Sequence, residues 1–291
     1  MREGRIIKGI GGFYYVISND EIIECRARGL FREQNLKPLV GDRVKIRMDS
    51  DSGTGYVEEI LERKSELLRP PVANVDQAII VLSTRDPEPN LWLVDKMVIM
   101  AEEQDLSIVF CINKSDVDFE RACDLKAMYE DAGFVSILTS TKSGDGVDLL
   151  KEHLKGHTSV FAGASGSGKS SLLNAIDPSL KLQTSQISRK TARGRHTTRH
   201  VELLSLGNDS YVLDTPGFSS LSLDFVEKPE DLRDYYREFG KFAADCRFLS
   251  CLHDSEPGCG VKEAVSKRLI GEDRYKNYLA ILDELRKRRK Y

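Results

Sequence analysis

Residues Gly163-Ala164-Ser165-Gly166-Ser167-Gly168-Lys169-Ser170 satisfy GxxxxGK[ST] at every fixed position. Glycines allow a tight loop whose backbone N–H groups converge on an anion, and a following helix adds the positive end of its dipole. The apolar stretch TSVFA precedes the run and helix-forming SSLLNAI follows it, which is the strand–loop–helix context a phosphate cradle needs. In such a cradle residues 163–171, Ser171 included, wrap phosphate oxygens. Lys169 reaches the β and γ phosphates, and the Ser170 hydroxyl is a Mg²⁺ ligand. Asp214-Thr215-Pro216-Gly217 ends the apolar YVLD 45 residues beyond Lys169. A carboxylate there holds a Mg²⁺-bound water, and the Gly217 N–H meets a γ phosphate.

Asn113-Lys114-Ser115-Asp116 follows the apolar SIVFCI. This set suits guanine. A carboxylate at Asp116 accepts from N1–H and from the 2-amino group, and adenine has neither donor in those places. Asn113 suits the N7 edge and braces the loop, and the aliphatic stem of Lys114 can lie on the purine face. Thr139-Ser140, after FVSIL, is the expected backbone contact to O6. The order is unusual, because the base-reading residues precede the phosphate loop. Joining the original ends and opening the chain elsewhere would preserve one set of strands, and such permutation is tolerated when termini lie close together. It also makes the Gly217 segment lead straight into the C-terminal part, so a mechanical link between γ-phosphate sensing and that part is expected.

Residues 181–200 carry Lys181, Arg189, Lys190, Arg193, Arg195 and Arg199 and no acidic residue, with His196 and His200 adding conditional charge. A loop of this kind orders against phosphates or an RNA backbone. Thr197 or Thr198 is the expected Mg²⁺ and γ-phosphate ligand, and the sequence leaves the choice open. Phe218 stands where several GTPases carry a water-orienting Gln. Phe cannot orient water, so slow intrinsic turnover completed by a partner is expected. His196 is the nearest residue able to hold the water; the alternative is that it only caps or contacts phosphate.

Cys246-x4-Cys251-x-His253-x5-Cys259 offers three thiolates and an imidazole. Four protein ligands make a closed structural Zn²⁺ site with no open catalytic position. The metal would supply folding energy to a module expected to be too small for its own core. Arg247, Lys262, Lys267 and Arg268 flank it, and RKRRK at 286–290 adds a basic tail suited to a polyanion.

Three parts carry these residues. Residues 1–67 read as short strands broken by Gly11-Gly12 and by turns at 50–55, a small closed barrel of SH3-like or oligonucleotide-binding type. Pro70-Pro71 marks a boundary, after which buried strands alternate with helices over 72–220, implying a mostly parallel sheet with both faces covered. Residues 221–291 hold the cysteine cluster and a long terminal helix with Tyr275, Leu279, Leu282 and Leu285 on one side. The 291-residue chain has 43 basic and 46 acidic residues, a net charge of −3, which excludes nucleic-acid binding through overall basicity but not through local patches. No apolar run approaches the ~20 residues of a membrane span and no secretion signal opens the chain, so a cytoplasmic protein without membrane contact is expected; a monomer is the separate expectation for its assembly.

Together NKSD at 113–116, GASGSGKSS at 163–171, GRHTT at 194–198, DTPG at 214–217 and the CRFLSCLH…EPGC cluster resemble the RsgA (YjeQ/YloQ) family of circularly permuted bacterial GTPases. The resemblance covers essentially the whole chain. It implies an N-terminal OB-like β-barrel, a central permuted α/β P-loop GTPase and a C-terminal, mostly helical zinc-binding domain. It implies GTP hydrolysis to GDP in late maturation of the small ribosomal subunit, with the subunit and its rRNA as partners that stimulate turnover, and release driven by hydrolysis. His196 matches the histidine proposed for catalysis in the family, and Cys246, Cys251, His253 and Cys259 match its zinc ligands. The competing reading is a regulatory GTP-binding switch acting on a protein. The basic 181–200 segment and tail favour the first.

Overall fold

The computed structural model describes residues 1–28, 31, 36–49, 53–68, 71–182, 201–213 and 222–288. Asp214, Gly217, His196, Thr197, Thr198 and Phe218 lie outside the described residues. The chain divides into two compact units. One comprises Met1–Gln77, Glu152–Phe161 and Ile187–Ser219; the other comprises Ala78–Lys151, Ala162–Gln186 and Ser220–Tyr291.

In the first unit, β1 (Arg2–Ile10), β2 (Phe13–Ser18), β3 (Glu21–Ala27), β4 (Arg43–Met48) and β5 (Gly55–Ile60) close into a barrel of order β1-β2-β3-β5-β4. β3 runs parallel to β5 with Cys25 opposite Gly55, and the other pairings are antiparallel. This is the OB-like alternative of the two barrel types. Alternation follows the pleat: Ile6, Val16, Ile23, Val44, Ile46 and Val57 fill the interior, while Lys45–Glu59 and Arg47–Glu58 pairs face outward. A short ribbon of β6 (Glu66–Leu68) and β7 (Pro71–Ala73) follows. The same unit holds β11 (Thr158–Ala162), β12 (Leu203–Gly207) and β13 (Ser210–Leu213), with β11 parallel and β12 antiparallel to β13. Strand β1 grips this group. The buried Arg5 guanidinium lies 4.5 Å over the Tyr211 ring, and Lys8 Nζ pairs with Glu202 at 2.8 Å.

The second unit carries β8 (Gln77–Ser83), β9 (Ser107–Asn113) and β10 (Val135–Leu138) in the order β10-β9-β8. QAIIVLS is buried at every residue, as expected of a strand covered on both faces. Helices α1 (Leu91–Glu103), α2 (Phe119–Asp131), α3 (Val147–Leu154) and α4 (Lys169–Ile176) alternate with the strands. The side chains of Asn90 and Asp118 cap α1 and α2.

Helices α5 (Arg237–Ala243), α6 (Gly260–Ser266) and α7 (Glu272–Arg288) form the C-terminal part of this unit. Contrary to the expectation of a module without a core, Leu223, Leu232, Phe239, Val261 and Tyr278 form an apolar cluster, and Ile99 of α1 joins it. The module borrows a helix from the α/β part. The expected Tyr275, Leu279, Leu282 and Leu285 all pack on one apolar cluster, but the most deeply buried stripe of α7 is shifted from them. It is Arg274, Tyr278, Ile281, Leu282 and Leu285, with Tyr275 and Leu279 only half-buried at its margin. The shift has a cause: Arg274 is drawn inside by Asp95 of α1 and Glu238 of α5. Among the described residues of the basic tail, each cation has a carboxylate partner. Arg286 pairs with Asp254, Lys287 with Asp283 and Arg288 with Asp224.

Candidate functional site

Strand β11 runs directly into the phosphate loop, and α4 begins at Lys169. Two glycines are forced by geometry. Gly163 sits at φ +144, and a Cβ there would lie 2.3 Å from the Val81 carbonyl oxygen; Gly168 sits at φ +99, and its Cβ would meet Asn113 Nδ2 at 2.1 Å. The second contact reports how the two motifs meet. Asn113 Nδ2 donates to the Ser167 carbonyl at 2.9 Å, and Asn113 is itself buried. The base-loop Asn therefore braces the phosphate loop, although the two are far apart in sequence.

Lys169 Nζ donates to the Gly163 and Ala164 carbonyls at 2.8 Å each, and burial lowers its pKa. An ammonium held over its own loop is placed to transfer those bonds to phosphate oxygens, which would also offset the desolvation of its charge. Ser165 and Gly166 are exposed at the loop's tip, whereas Ser167 is buried; Gly168, Ser170 and Ser171 are half-buried.

In the base loop Lys114 adopts the left-handed region at φ +59, and its Nζ donates to the Asp86 carbonyl. Asp116 Oδ1 accepts from Ser140 Oγ at 2.7 Å. Ser140 Oγ in turn accepts from the N–H groups of Lys142 and Ser143 at 3.2 Å. Thr139 Oγ1 donates to Asn113 Oδ1 at 3.3 Å. These bonds bear on the role expected of Thr139 and Ser140. The Thr139 N–H is spent on Ile112 O at 2.9 Å and the Ser140 N–H on Asp145 O at 3.0 Å, so neither backbone donor is free for O6. Their side chains instead aim Asn113 and Asp116. Thr141 is exposed at the turn that follows. The paired spacing of NKSD and TS carried a signal for proximity, not for which atoms of Thr139 and Ser140 would act.

The ligand atoms of Cys246, Cys251, His253 and Cys259 all lie within 4.8 Å of one another. The Cys246 and Cys259 sulfurs are 3.9 Å apart, and His253 Nδ1 is 3.6 and 3.3 Å from them. Tetrahedral Zn–S bonds of ~2.3 Å place sulfurs roughly 3.8 Å apart, so the donor set fits that ion. Burial pushes the Cys251 thiol up to about 12 and lowers the His253 pKa, so a dication is the charge that would make the thiolates tenable. Outer contacts are in place. Tyr275 and Tyr278 donate their hydroxyls to the His253 and Leu252 carbonyls at 2.7 and 2.6 Å. The sequence reading placed Tyr275 only in an apolar stripe and passed over Tyr278; both sit on α7 and reach the cluster only through folding.

A phosphate loop and a base loop that precedes it in the chain, carried on strands that alternate with helices, define a P-loop GTPase with permuted motif order. The RsgA GTPase family matches residues 60–224, and the RsgA N-terminal domain matches residues 3–57. The chain belongs to the RsgA family and is a GTPase. It is 50% identical over 293 residues to the small ribosomal subunit biogenesis GTPase RsgA of Alkaliphilus metalliredigens, covering 100% of each chain. The counterpart in Caldanaerobacter subterraneus is 49% identical, with 99% of this chain and 97% of that one covered. Among solved structures, YjeQ from Thermotoga maritima matches with a TM-score of 0.82 at 40% identity, covering 98% of both chains. YloQ, described as a circularly permuted GTPase, matches with a TM-score of 0.80 at 38% identity, covering 99% of this chain and 96% of that one. Among the described residues, no helix is long and apolar enough to cross a membrane.

Proposed function

We propose that this GTPase acts in late maturation of the small ribosomal subunit, binding the subunit and its rRNA, turning over GTP when bound there, and leaving on hydrolysis. The reading rests on family membership and on one geometric observation, the Asn113–Ser167 bond that ties a guanine-type base loop to a phosphate loop. Asp116, oriented by Ser140, accepts from guanine N1–H and the 2-amino group. Lys114 supports the purine face, and the O6 contact falls to the turn at Thr141. Residues 163–171 wrap the phosphates, and Lys169 exchanges its two loop carbonyls for β and γ oxygens. Ser170 and, through water, Asp214 would hold Mg²⁺, which would supply charge neutralisation to the phosphates. Thr197 or Thr198 and the Gly217 N–H report the γ phosphate. His196 holds the attacking water in place of the glutamine that Phe218 replaces. Cys246, Cys251, His253 and Cys259 hold one structural Zn²⁺.

The test is phosphate release from GTP by the purified chain, alone and with purified small ribosomal subunits at physiological salt. A slow basal rate that rises steeply with subunit concentration is expected. A rate indifferent to subunits overturns the ribosomal reading while leaving the GTPase assignment intact.

A further inference from the structure

Thr84 belongs to neither nucleotide motif, yet it is fully buried immediately after strand β8 and holds the base loop. Its N–H donates to the Asn113 carbonyl at 3.2 Å, and its Oγ1 donates to the Lys114 carbonyl at 2.8 Å. The Lys114 carbonyl also accepts from the Val117 N–H at 3.0 Å, a bond internal to the loop. Thr84 thus supplies one tertiary restraint, on the carbonyl side, on a peptide whose N–H side is held by Ser115 N–H donating to the Thr139 carbonyl at 3.1 Å; Lys114 occupies the left-handed region, a conformation that a side-chain-bearing residue keeps only when its surroundings impose it. The loop that Thr84 opens makes two further contacts and one close approach. Asp86 accepts from Lys114 Nζ through its carbonyl, Arg85 pairs with Asp118 at 2.8 Å at the cap of α2, and Pro87 Cδ lies 3.4 Å from where a Cβ on Gly166 would sit. Residues 84–87 therefore span the base loop and the phosphate loop.

We infer that Thr84 is a positioning residue for guanine recognition: by fixing the Asn113 and Lys114 carbonyls it sets the direction in which Asp116, two residues on, presents its carboxylate. The inference rests on Asp116 being the base reader. A carboxylate that accepts two bonds from one base edge tolerates little rotation, whereas one that accepts a single bond tolerates more. Loss of the Thr84 hydroxyl should therefore penalise guanine, with N1–H and a 2-amino group, more than hypoxanthine, which lacks the amino group.

The experiment compares dissociation constants of GDP and inosine diphosphate for the full-length chain and for Thr84→Val, Thr84→Ser and Asp116→Asn, with thermal melting as the control for folding. Thr84→Val keeps the shape and removes the donor. It should lower the preference for GDP over inosine diphosphate about fivefold, the worth of one hydrogen bond, and Thr84→Ser should restore it. Asp116→Asn should abolish the preference. If Thr84→Val weakens both nucleotides equally, or neither, while Asp116→Asn does abolish the preference, the inference is overturned. If Asp116→Asn keeps the preference, the base-reader assignment fails and takes the inference with it. Should Thr84→Val fail to fold, Thr84→Ala carries the same expectation.

Discussion

The guanidinium of Arg274 on α7 donates to the carboxylate of Asp95 on α1, across 179 residues of sequence, and both side chains are almost completely excluded from solvent. Arg274 Nε also donates to Glu238 at 2.9 Å, and Asn277 Nδ2 donates to the second Asp95 oxygen at 2.9 Å. Burial pushes the Asp95 carboxyl up, with Arg274 pulling against it. Burial also opposes the Arg274 charge, but Asp95 and Glu238 hold its pKa above the usual value. One cation thus joins the helix that follows the Thr84 loop to two helices of the metal-binding part.

Removing that cation leaves two carboxylates buried together. Arg274→Met should cost about 3–5 kcal/mol of stability, the range for breaking one partner of a buried ion pair. Urea denaturation followed by far-UV circular dichroism measures it. A cost below about 1 kcal/mol, the scale of an exposed pair, would mean that the cluster is solvated.

The same cluster argues against a metal-binding part that swings with nucleotide state, the link expected from chain order alone. Movement of α7 relative to α1 would expose Asp95, Glu238 and Arg274 and open the shared apolar cluster around Ile99 and Tyr278. Amide exchange in residues 272–288 should therefore be the same with GDP and with a non-hydrolysable GTP analogue. A state-dependent change in that helix would restore the mechanical link.

Stripping the metal should loosen the C-terminal part first. Cys251 and Cys259 belong to its buried cluster, and the Leu252 and His253 carbonyls anchor Tyr278 and Tyr275. Cys251→Ser, or treatment with a strong chelator, should lower the melting temperature and the metal content together, read by thermal melting and elemental analysis. A full complement of metal in Cys251→Ser would exclude this thiolate as a ligand.

In the proposed site, Lys169→Ala removes the charge that would face the developing negative charge of phosphoryl transfer. It should reduce GTP turnover by at least about 100-fold, the scale seen when one such donor is removed. Single-turnover phosphate release is the readout. Normal turnover would move the phosphate site elsewhere.

In the proposed base site, Asp116→Asn replaces a carboxylate that would accept two bonds with a group that can accept only through one oxygen. Guanine nucleotide affinity should fall about 100-fold, given roughly 1.5–3 kcal/mol for each hydrogen bond to a charged group. Competition between GTP and ATP for the site measures it. Undiminished preference for GTP would mean that another loop reads the base.

The chemistry was legible in the chain because it is local. GASGSGKS needs only a strand before it and a helix after it, and β11 and α4 supply them. Cys246, Cys251, His253 and Cys259 lie within one short loop, so their spacing already confined them to one ion. Alternating β8–α1–β9–α2 patterns announced a parallel sheet through the period of their apolar residues. Three features were decided only in three dimensions. The barrel type depends on β3 pairing with β5, a non-local choice that strand composition does not encode. The role of Ser140 depends on which of its atoms the Asp145 carbonyl already occupies. Thr84, Asp95 and Arg274 carry no motif, since a buried hydroxyl or charge is defined by partners that sequence distance hides. Local spacing determines what chemistry a segment can do, and long-range packing determines which side chains aim it, because desolvation and hydrogen-bond pairing depend on neighbours that only the folded chain brings together.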